Sequence, residues 1–215
     1  MISEARGVLK LNSDPAFRVA LNHLDKFSHV WILYIFHQHT EKGWRSTIRP
    51  PRLDAPRRVG VFASRSPHRP NPIGMSAVKL DRIDLDAKDG IEIHLSGLDI
   101  LDGTPVLDIK PYLPFADSIS DASGGWASSE IKKYDVSFSV ESIKSIQIKS
   151  EEFDRDLKSL ITQMLEFDPR PTSQRRAMPI EDSRTEGMIF GFRIFNFDVQ
   201  WQIKNGAIYV LNLVY

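Results

Sequence analysis

Short stretches of alternating apolar and polar residues, joined by irregular connections, dominate the first 140 residues of the chain. Residues 76–84 and 90–95 alternate in this way with a turn sequence between them, which predicts a β-hairpin. Arg6–Leu11 and residues 134–140 alternate as well, and residues 29–36 (HVWILYIF) are typical of a strand buried on both faces. Because parallel strands need long crossover connections, we predict an antiparallel sheet closed into a β-barrel.

The composition changes in the last third of the chain. Residues 151–167 carry apolar side chains at helical spacing, which predicts one amphipathic helix. Residues 188–195 are a predicted strand, and Asn205-Gly206 is a strong hairpin signal. We therefore predict a mainly β chain, with an antiparallel β-barrel domain over residues 1–146 and a small α+β domain over residues 147–215.

Residues 60–76, GVFASRSPHRPNPIGMS, carry the most chemical information. Three prolines fix φ, and each residue before a proline is pushed out of helical space, so the segment is neither a helix nor a central strand. We predict a stiff loop that presents Arg65, His68 and Arg69 at set positions. Such preorganisation suits a site for a charged ligand. A turn that merely connects two strands is the alternative.

The chain has no net charge, but its charge is unevenly distributed. Residues 41–70 contain eight cations and two carboxylates, a net charge of +6. The cations are Lys42, Arg45, Arg49, Arg52, Arg57, Arg58, Arg65 and Arg69. Arginine suits bidentate phosphate contacts, so the segment indicates local contact with a polyanion. A solvated loop with acidic partners elsewhere is the alternative.

Several classes of protein do not fit this sequence. It contains no cysteine, no apolar signal segment and no apolar run long enough to span a bilayer, so we expect a cytoplasmic protein without membrane contact. The glycine-rich signatures of Rossmann proteins and P-loop NTPases are absent. His37 and His39 lie two residues apart without a third ligand nearby in the sequence, and no other histidine spacing predicts a metal site.

Three carboxylates lie close together in the sequence, at Asp99, Asp102 and Asp108. Paired carboxylates can act as acid and base. Asp102 precedes Gly103, a pattern more typical of a turn, and Asp108 could pair with an arginine. No residue is identified as the catalytic base from this pattern.

Residues 60–76, together with SGLDILDGTPVLDIKPYLPFADS at residues 96–118, resemble the TsaA-like (TrmO) family of tRNA adenine-N6 methyltransferases. FSHVWILYIFHQH at residues 27–39, RPPRL at 49–53 and DPRP at 168–171 extend the resemblance over nearly the whole chain. The resemblance implies a homodimeric β-barrel enzyme that uses S-adenosyl-L-methionine. It also implies the substrate, N6-threonylcarbamoyladenosine beside the anticodon of threonine tRNA, and a small C-terminal domain that helps to hold tRNA.

The resemblance also implies a set of site residues. His37 and Gln38 match the cofactor-contacting pair of the family, and Arg65 matches its cofactor-contacting arginine. Further positions near the cofactor correspond to Met75, Ser96, Gly97, Leu98 and Asp99. The backbone of residues 98–100 is expected to read the adenine of the cofactor.

Arg69 and Arg170 are the expected contacts to tRNA. Members of the family usually have a longer N-terminal segment with a Pro-Arg-Gln turn that touches the cofactor, whereas this chain starts close to the strand predicted at Arg6–Leu11. We therefore expect either a truncated form or a partner chain that supplies this wall of the pocket. The alternative function is a catalytically impaired RNA-binding or regulatory module.

Overall fold

The computed structural model describes residues 2–52 and 56–215, which divide into two compact units. The first unit comprises residues 2–50 and 56–128, and the second comprises residues 51–52 and 129–215. The boundary predicted after residue 146 falls inside the helix Val140–Phe153, and the strand Val136–Phe138 belongs to the second unit.

The first unit contains seven strands and two short helices within its described residues. The strands are β1 (Arg6–Leu11), β2 (His29–Ile35), β3 (Thr47–Ile48), β4 (Val59–Gly60), β5 (Ile73–Ala87), β6 (Gly90–Ser96) and β7 (Val106–Pro111). The helices are α1 (Pro15–Ala20), which begins at the capping carboxylate of Asp14, and α2 (Pro114–Asp117). The predicted strand at the N-terminus and the β5–β6 hairpin are confirmed.

Five of these strands form an antiparallel sheet in the order β1-β6-β5-β2-β7. The prediction of a closed barrel is wrong for the described residues, because β1 and β7 lie at the two open edges of this sheet and β3 and β4 form a separate ribbon. Alternation in a sequence fixes which side chains share a face. Closure depends on strand tilt and stagger, which alternation does not encode.

The core of the first unit lies on one face of the five-stranded sheet. Val30 and Ile32 of β2 are buried there, as are Val78 of β5 and Ile93 of β6. Strand β2 was predicted to be buried on both faces, but its intervening residues, such as Leu33, are only half buried. The inner face of β2 is therefore buried and its outer face is partly accessible to solvent.

The described residues of the second unit form a four-stranded sheet and three helices. Its strands are β8 (Val136–Phe138), β9 (Ile189–Ile194), β10 (Phe197–Lys204) and β11 (Ala207–Val214), in the order β8-β11-β10-β9. Only β8 pairs in parallel, with β11, within this sheet of described strands. The predicted turn at Asn205-Gly206 is confirmed, with both residues at positive φ.

The helices of the second unit are α3 (Val140–Phe153), α4 (Leu157–Leu165) and α5 (Thr172–Ala177). The single helix predicted over residues 151–167 is wrong. Asp154 adopts φ 48° and ends α3, and the Asp156 carboxylate accepts the amide of Ser159 to begin α4. No helix in the described part of the chain is long and apolar enough to cross a membrane.

Candidate active site

Three loops of the first unit emerge at one end of the five-stranded sheet. Strand β2 ends at Ile35, whose amide donates to the carbonyl of Pro105 at 3.0 Å, just before β7. The next amide, that of Phe36, donates to the carbonyl of Pro72 at 2.7 Å, just before β5. We call this end of the strands the Ile35 end of the sheet. The predicted cofactor residues His37 and Gln38 follow directly, in a short 3-10 turn.

The 3-10 turn contacts the proline-rich loop through two histidines. The ring centroids of His39 and His68 lie 4.9 Å apart with their planes at 81°, and the amide of Arg45 donates to the carbonyl of His68 at 3.1 Å. Burial lowers the pKa of His39, and the positive charge of Lys42 and the neighbouring His68 lower this pKa further. The two segments predicted to bind the cofactor therefore meet at the Ile35 end.

The proline-rich loop is braced from within by Arg69. Its Nη1 donates to the carbonyl oxygens of Ser64 at 2.6 Å and Val61 at 3.3 Å, and its guanidinium lies 5.9 Å from the ring centre of Phe62. Arg65 is exposed and forms no hydrogen bond or ion pair within the described residues. The loop therefore holds one arginine in its own structure and leaves the other directed to solvent. The contact of Arg69 with RNA stays a prediction.

A chain of hydroxyls connects the interior of the sheet to an exposed carboxylate. The hydroxyl of Ser76 donates to Oδ1 of Asp99 at 2.6 Å and lies 3.3 Å from the hydroxyl of Tyr34. Tyr34 and Ser76 are buried, whereas Asp99 is exposed. The buried partners therefore hold the Asp99 carboxylate in one position, with its second oxygen free of this contact.

In the segment before Asp99, three hydrogen-bond donors already have partners within the protein. The amides of Gly97 and Leu98 both donate to the carbonyl of Ala5, at 2.9 and 3.0 Å. The hydroxyl of Ser96 donates to the carboxylate of Asp81. The amide of Leu98 therefore already has a partner within the protein, and the expectation that the backbone of residues 98–100 reads the adenine stays a prediction.

Met75 lies on the opposite face of β5 from Ser76, since successive side chains of a strand point to opposite faces. It is 47% exposed and pairs in register with Leu33 of β2. Asp108 pairs with Leu33 from the other side, and its carboxylate binds Lys110 at 2.7 Å rather than an arginine. The structure therefore does not bring Met75 to the inner face that carries the Tyr34–Ser76 link.

Arg170 is buried in the second unit, and its predicted contact with tRNA is wrong. Its side chain is 2% exposed and forms two hydrogen bonds to the carboxylate of Asp168, at 2.7 and 2.8 Å. A further nitrogen donates to the carbonyl of Met178, and the guanidinium lies 5.0 Å from the ring centre of Phe190. Arg170 is thus a structural residue, because a phosphate has no access to its guanidinium.

The sequence did not predict two features of this region, the contact between His39 and His68 and the link from Tyr34 to Ser76. The signal for the second was present, since Tyr34 shares the inner face of β2 with Val30 and Ile32. The burial pattern of β2 predicts the contact between Tyr34 and Ser76 only when the pairing of β2 with β5 is also known. Together, an exposed carboxylate, an exposed guanidinium and two imidazoles on the loops of this end can bind a ligand with separated charges.

Comparisons with known proteins agree with this architecture. The tRNA-methyltransferase O N-terminal domain matches residues 1–118, and the TrmO C-terminal domain matches residues 131–215. A tRNA (adenine(37)-N6)-methyltransferase of Escherichia coli K12 is 40% identical over 99% of this chain and 87% of its own length. A Pseudomonas aeruginosa relative, whose name refers to an S-adenosylmethionine-dependent methyltransferase, is 40% identical over 92% of this chain and 80% of its own length.

A crystal structure of TrmO from Pseudomonas aeruginosa has the same fold as this chain. The two are 36% identical and superpose with a TM-score of 0.74 over 99% of this chain and 84% of the other. The two matched domain models together leave only residues 119–130 unmatched. The chain therefore belongs to the tRNA-methyltransferase O (TrmO) family.

Proposed function

We propose that this protein is a tRNA (adenine-N6)-methyltransferase that takes its methyl group from S-adenosyl-L-methionine. The observation that carries the proposal is the 40% identity to the E. coli enzyme over 99% of this chain. The meeting of the 3-10 turn and the proline-rich loop at the Ile35 end supports it, because it gathers charged and polar groups around one region.

The cofactor is assigned to the Ile35 end of the sheet. S-adenosylmethionine supplies a methyl group on a sulfonium, and it carries an ammonium and a carboxylate at its amino-acid end. The anchored carboxylate of Asp99 can accept hydrogen bonds, and the guanidinium of Arg65 matches a carboxylate. His37 and Gln38 line the same end. We assign smaller contributions to cofactor binding to four further residues near this end, Met75, Ser96, Gly97 and Leu98.

The substrate is N6-threonylcarbamoyladenosine at position 37 of threonine tRNA. An anticodon loop is single-stranded, so its bases can be unstacked and enter a pocket. We assign the contacts with the flanking phosphates to the cations of residues 41–70, including Arg69. Affinity for tRNA should therefore fall steeply as the salt concentration rises, because each neutralised phosphate releases counterions.

The open sheet of the first unit binds the cofactor, and the second unit helps to hold tRNA. The active form is a homodimer in the cytoplasm, where tRNA is available. Light scattering of the purified protein tests the dimer, since a mass of one chain at micromolar concentration would contradict it.

A methyl-transfer assay tests the function. The protein is incubated with tritiated S-adenosylmethionine and threonine tRNA, either carrying threonylcarbamoyl at adenosine 37 or lacking it, and the digested nucleosides are separated. We expect label in the nucleoside at position 37 of the modified tRNA and none in the unmodified tRNA. Binding of both ligands without label would instead indicate an RNA-binding module.

A further inference from the structure

We propose that His39 accepts the proton that N6 of the adenosine loses during methyl transfer, and that the ring of His68 holds His39 in place. This inference rests on the proposed function and adds the acid–base residue to it.

The two rings lie between the segments assigned to the cofactor. His39 is the last residue of the 3-10 turn that contains His37 and Gln38, and His68 lies three residues after Arg65. Their ring centroids are 4.9 Å apart. A group that takes a proton from the reacting nitrogen must lie within hydrogen-bond reach of it, so a base on these loops is in the required neighbourhood.

The ring of His39 is available for proton transfer. Neither of its nitrogens forms a hydrogen bond within the described residues, and the side chain is only half buried. Its backbone is fixed, since its amide donates to the carbonyl of Phe36 at 2.8 Å and its carbonyl accepts the amide of Lys42 at 3.2 Å. A fixed backbone with a free ring suits a group that must bind and release a proton.

The ring of His68 is well placed to support it. Pro67 and Pro70 flank this part of the loop, the amide of His68 donates to the hydroxyl of Ser66 at 3.3 Å, and its carbonyl accepts the amide of Arg45. Nδ1 of His68 is buried and has no hydrogen-bond partner among the described residues. The perpendicular ring contact therefore restricts His39 while leaving its nitrogens unbonded.

The charges nearby favour the neutral form of His39. Burial has the largest effect, and Lys42 from the following segment and His68 from the proline-rich loop act in the same direction, so the pKa of His39 lies below its ordinary value of 6.5. At pH 7 the His39 side chain is consequently neutral in most molecules and can accept a proton. A general base must be in this form before the reaction begins.

The proposed step balances in atoms and charge. N6 forms a bond to the methyl carbon, the bond between that carbon and sulfur breaks, and sulfur keeps the bonding electron pair. The proton on N6 passes to a ring nitrogen of His39, which becomes an imidazolium and later releases the proton to water. The acylated nitrogen is a poor nucleophile, because its lone pair is delocalised into the carbonyl group. Loss of its proton to an acceptor makes an electron pair available for attack on the methyl group.

The variant His39→Asn tests the proposal, with His23→Asn as a matched control. His23 lies in the same unit and adopts φ 68°, a conformation that asparagine tolerates. Calorimetry measures the binding of S-adenosylmethionine, single-turnover assays from pH 5 to 8 measure methyl transfer to tRNA, and NMR follows the titration of the His39 ring in the wild type. His39→Ala, assayed with and without imidazole, provides a second variant in case asparagine disturbs the loop.

We expect His39→Asn to bind the cofactor as the wild type does and to transfer methyl about 10²- to 10⁴-fold more slowly, the range typical of general-base catalysis. The wild-type rate should fall with acid, with a midpoint below pH 6.5 that matches the NMR titration, and imidazole should partly rescue His39→Ala. A rate within tenfold of the wild type, or an unchanged acid limb in His39→Asn, would overturn the proposal. An inactive wild type would instead refute the proposed function itself.

Discussion

The ring of Tyr34 occupies the space beside the α-carbon of Gly74, its register partner on the neighbouring strand. A Cβ placed at residue 74 would lie 2.3 Å from Cε2 of that ring and 2.8 Å from its hydroxyl. The absence of a side chain at Gly74 thus lets Tyr34 reach Ser76, and through it the Asp99 carboxylate.

Replacement of Gly74 by alanine should therefore displace Tyr34. We expect the free energy of unfolding to fall by about 1–3 kcal/mol, the usual cost of overpacking, and cofactor binding to weaken. Gly60→Ala is the control, because no atom lies within 4 Å of a Cβ there and its φ is −60°. Urea unfolding measures both variants, and equal stability of the two would contradict this account of Gly74.

Loss of the Ser76 hydroxyl should weaken the cofactor site without removing a charge. Ser76→Ala leaves Asp99 without its donor, and a hydrogen bond to a charged group is worth about 1.5–3 kcal/mol, so affinity for S-adenosylmethionine should fall roughly 10- to 100-fold. Ser28→Ala is the matched control, since Ser28 precedes β2 at the opposite end of that strand. Titration calorimetry gives both affinities, and wild-type affinity in Ser76→Ala would argue against a role for Asp99.

Arg65 should contribute more to the affinity for S-adenosylmethionine than to the affinity for tRNA. It is exposed and unpaired within the described residues, so Arg65→Ala should fold normally and should lose more affinity for S-adenosylmethionine than for tRNA. Arg82→Ala provides a control on β5, where the side chain is 60% exposed and lies 3.5 Å from Asp84. Calorimetry and filter binding measure the two ligands. An equal loss of affinity for both would contradict the assignment of Arg65.

Arg170 should matter for stability and not for RNA contact. Arg170→Ala leaves the buried carboxylate of Asp168 without its partner, and breaking a buried pair in this way costs about 3–5 kcal/mol. In Arg184→Ala, by contrast, the melting temperature should remain close to that of the wild type, because that side chain is 69% exposed. Thermal unfolding compares the two variants. A stable Arg170→Ala protein with weakened tRNA binding would restore the original prediction.

The sequence predicted the local elements of the first unit better than their assembly. Alternation located β1 and the β5–β6 hairpin, because side-chain period depends only on neighbours along the strand. Whether the sheet closes depends on contacts between distant strands, and the predicted barrel was therefore wrong. The single helix predicted over residues 151–167 failed for a local reason, since the αL conformation of Asp154 overrides a continuous apolar pattern.

The candidate site was predicted in part. Prolines and arginines indicated a stiff charged loop, and the resemblance to a family pointed to the segments around His37 and Arg65. Neither kind of signal distinguishes an exposed arginine from a buried one, so Arg170 was misassigned while Arg65 is exposed. The contact between His39 and His68 joins loops far apart in sequence, and only the packed sheet reveals it.

A crystal structure with S-adenosylhomocysteine bound tests the central claim most directly, because it shows where the cofactor lies. We predict density at the Ile35 end of the sheet, in contact with the side chains of His37, Arg65 and Asp99. Density at any other place on either unit, with these three side chains untouched, would contradict the account.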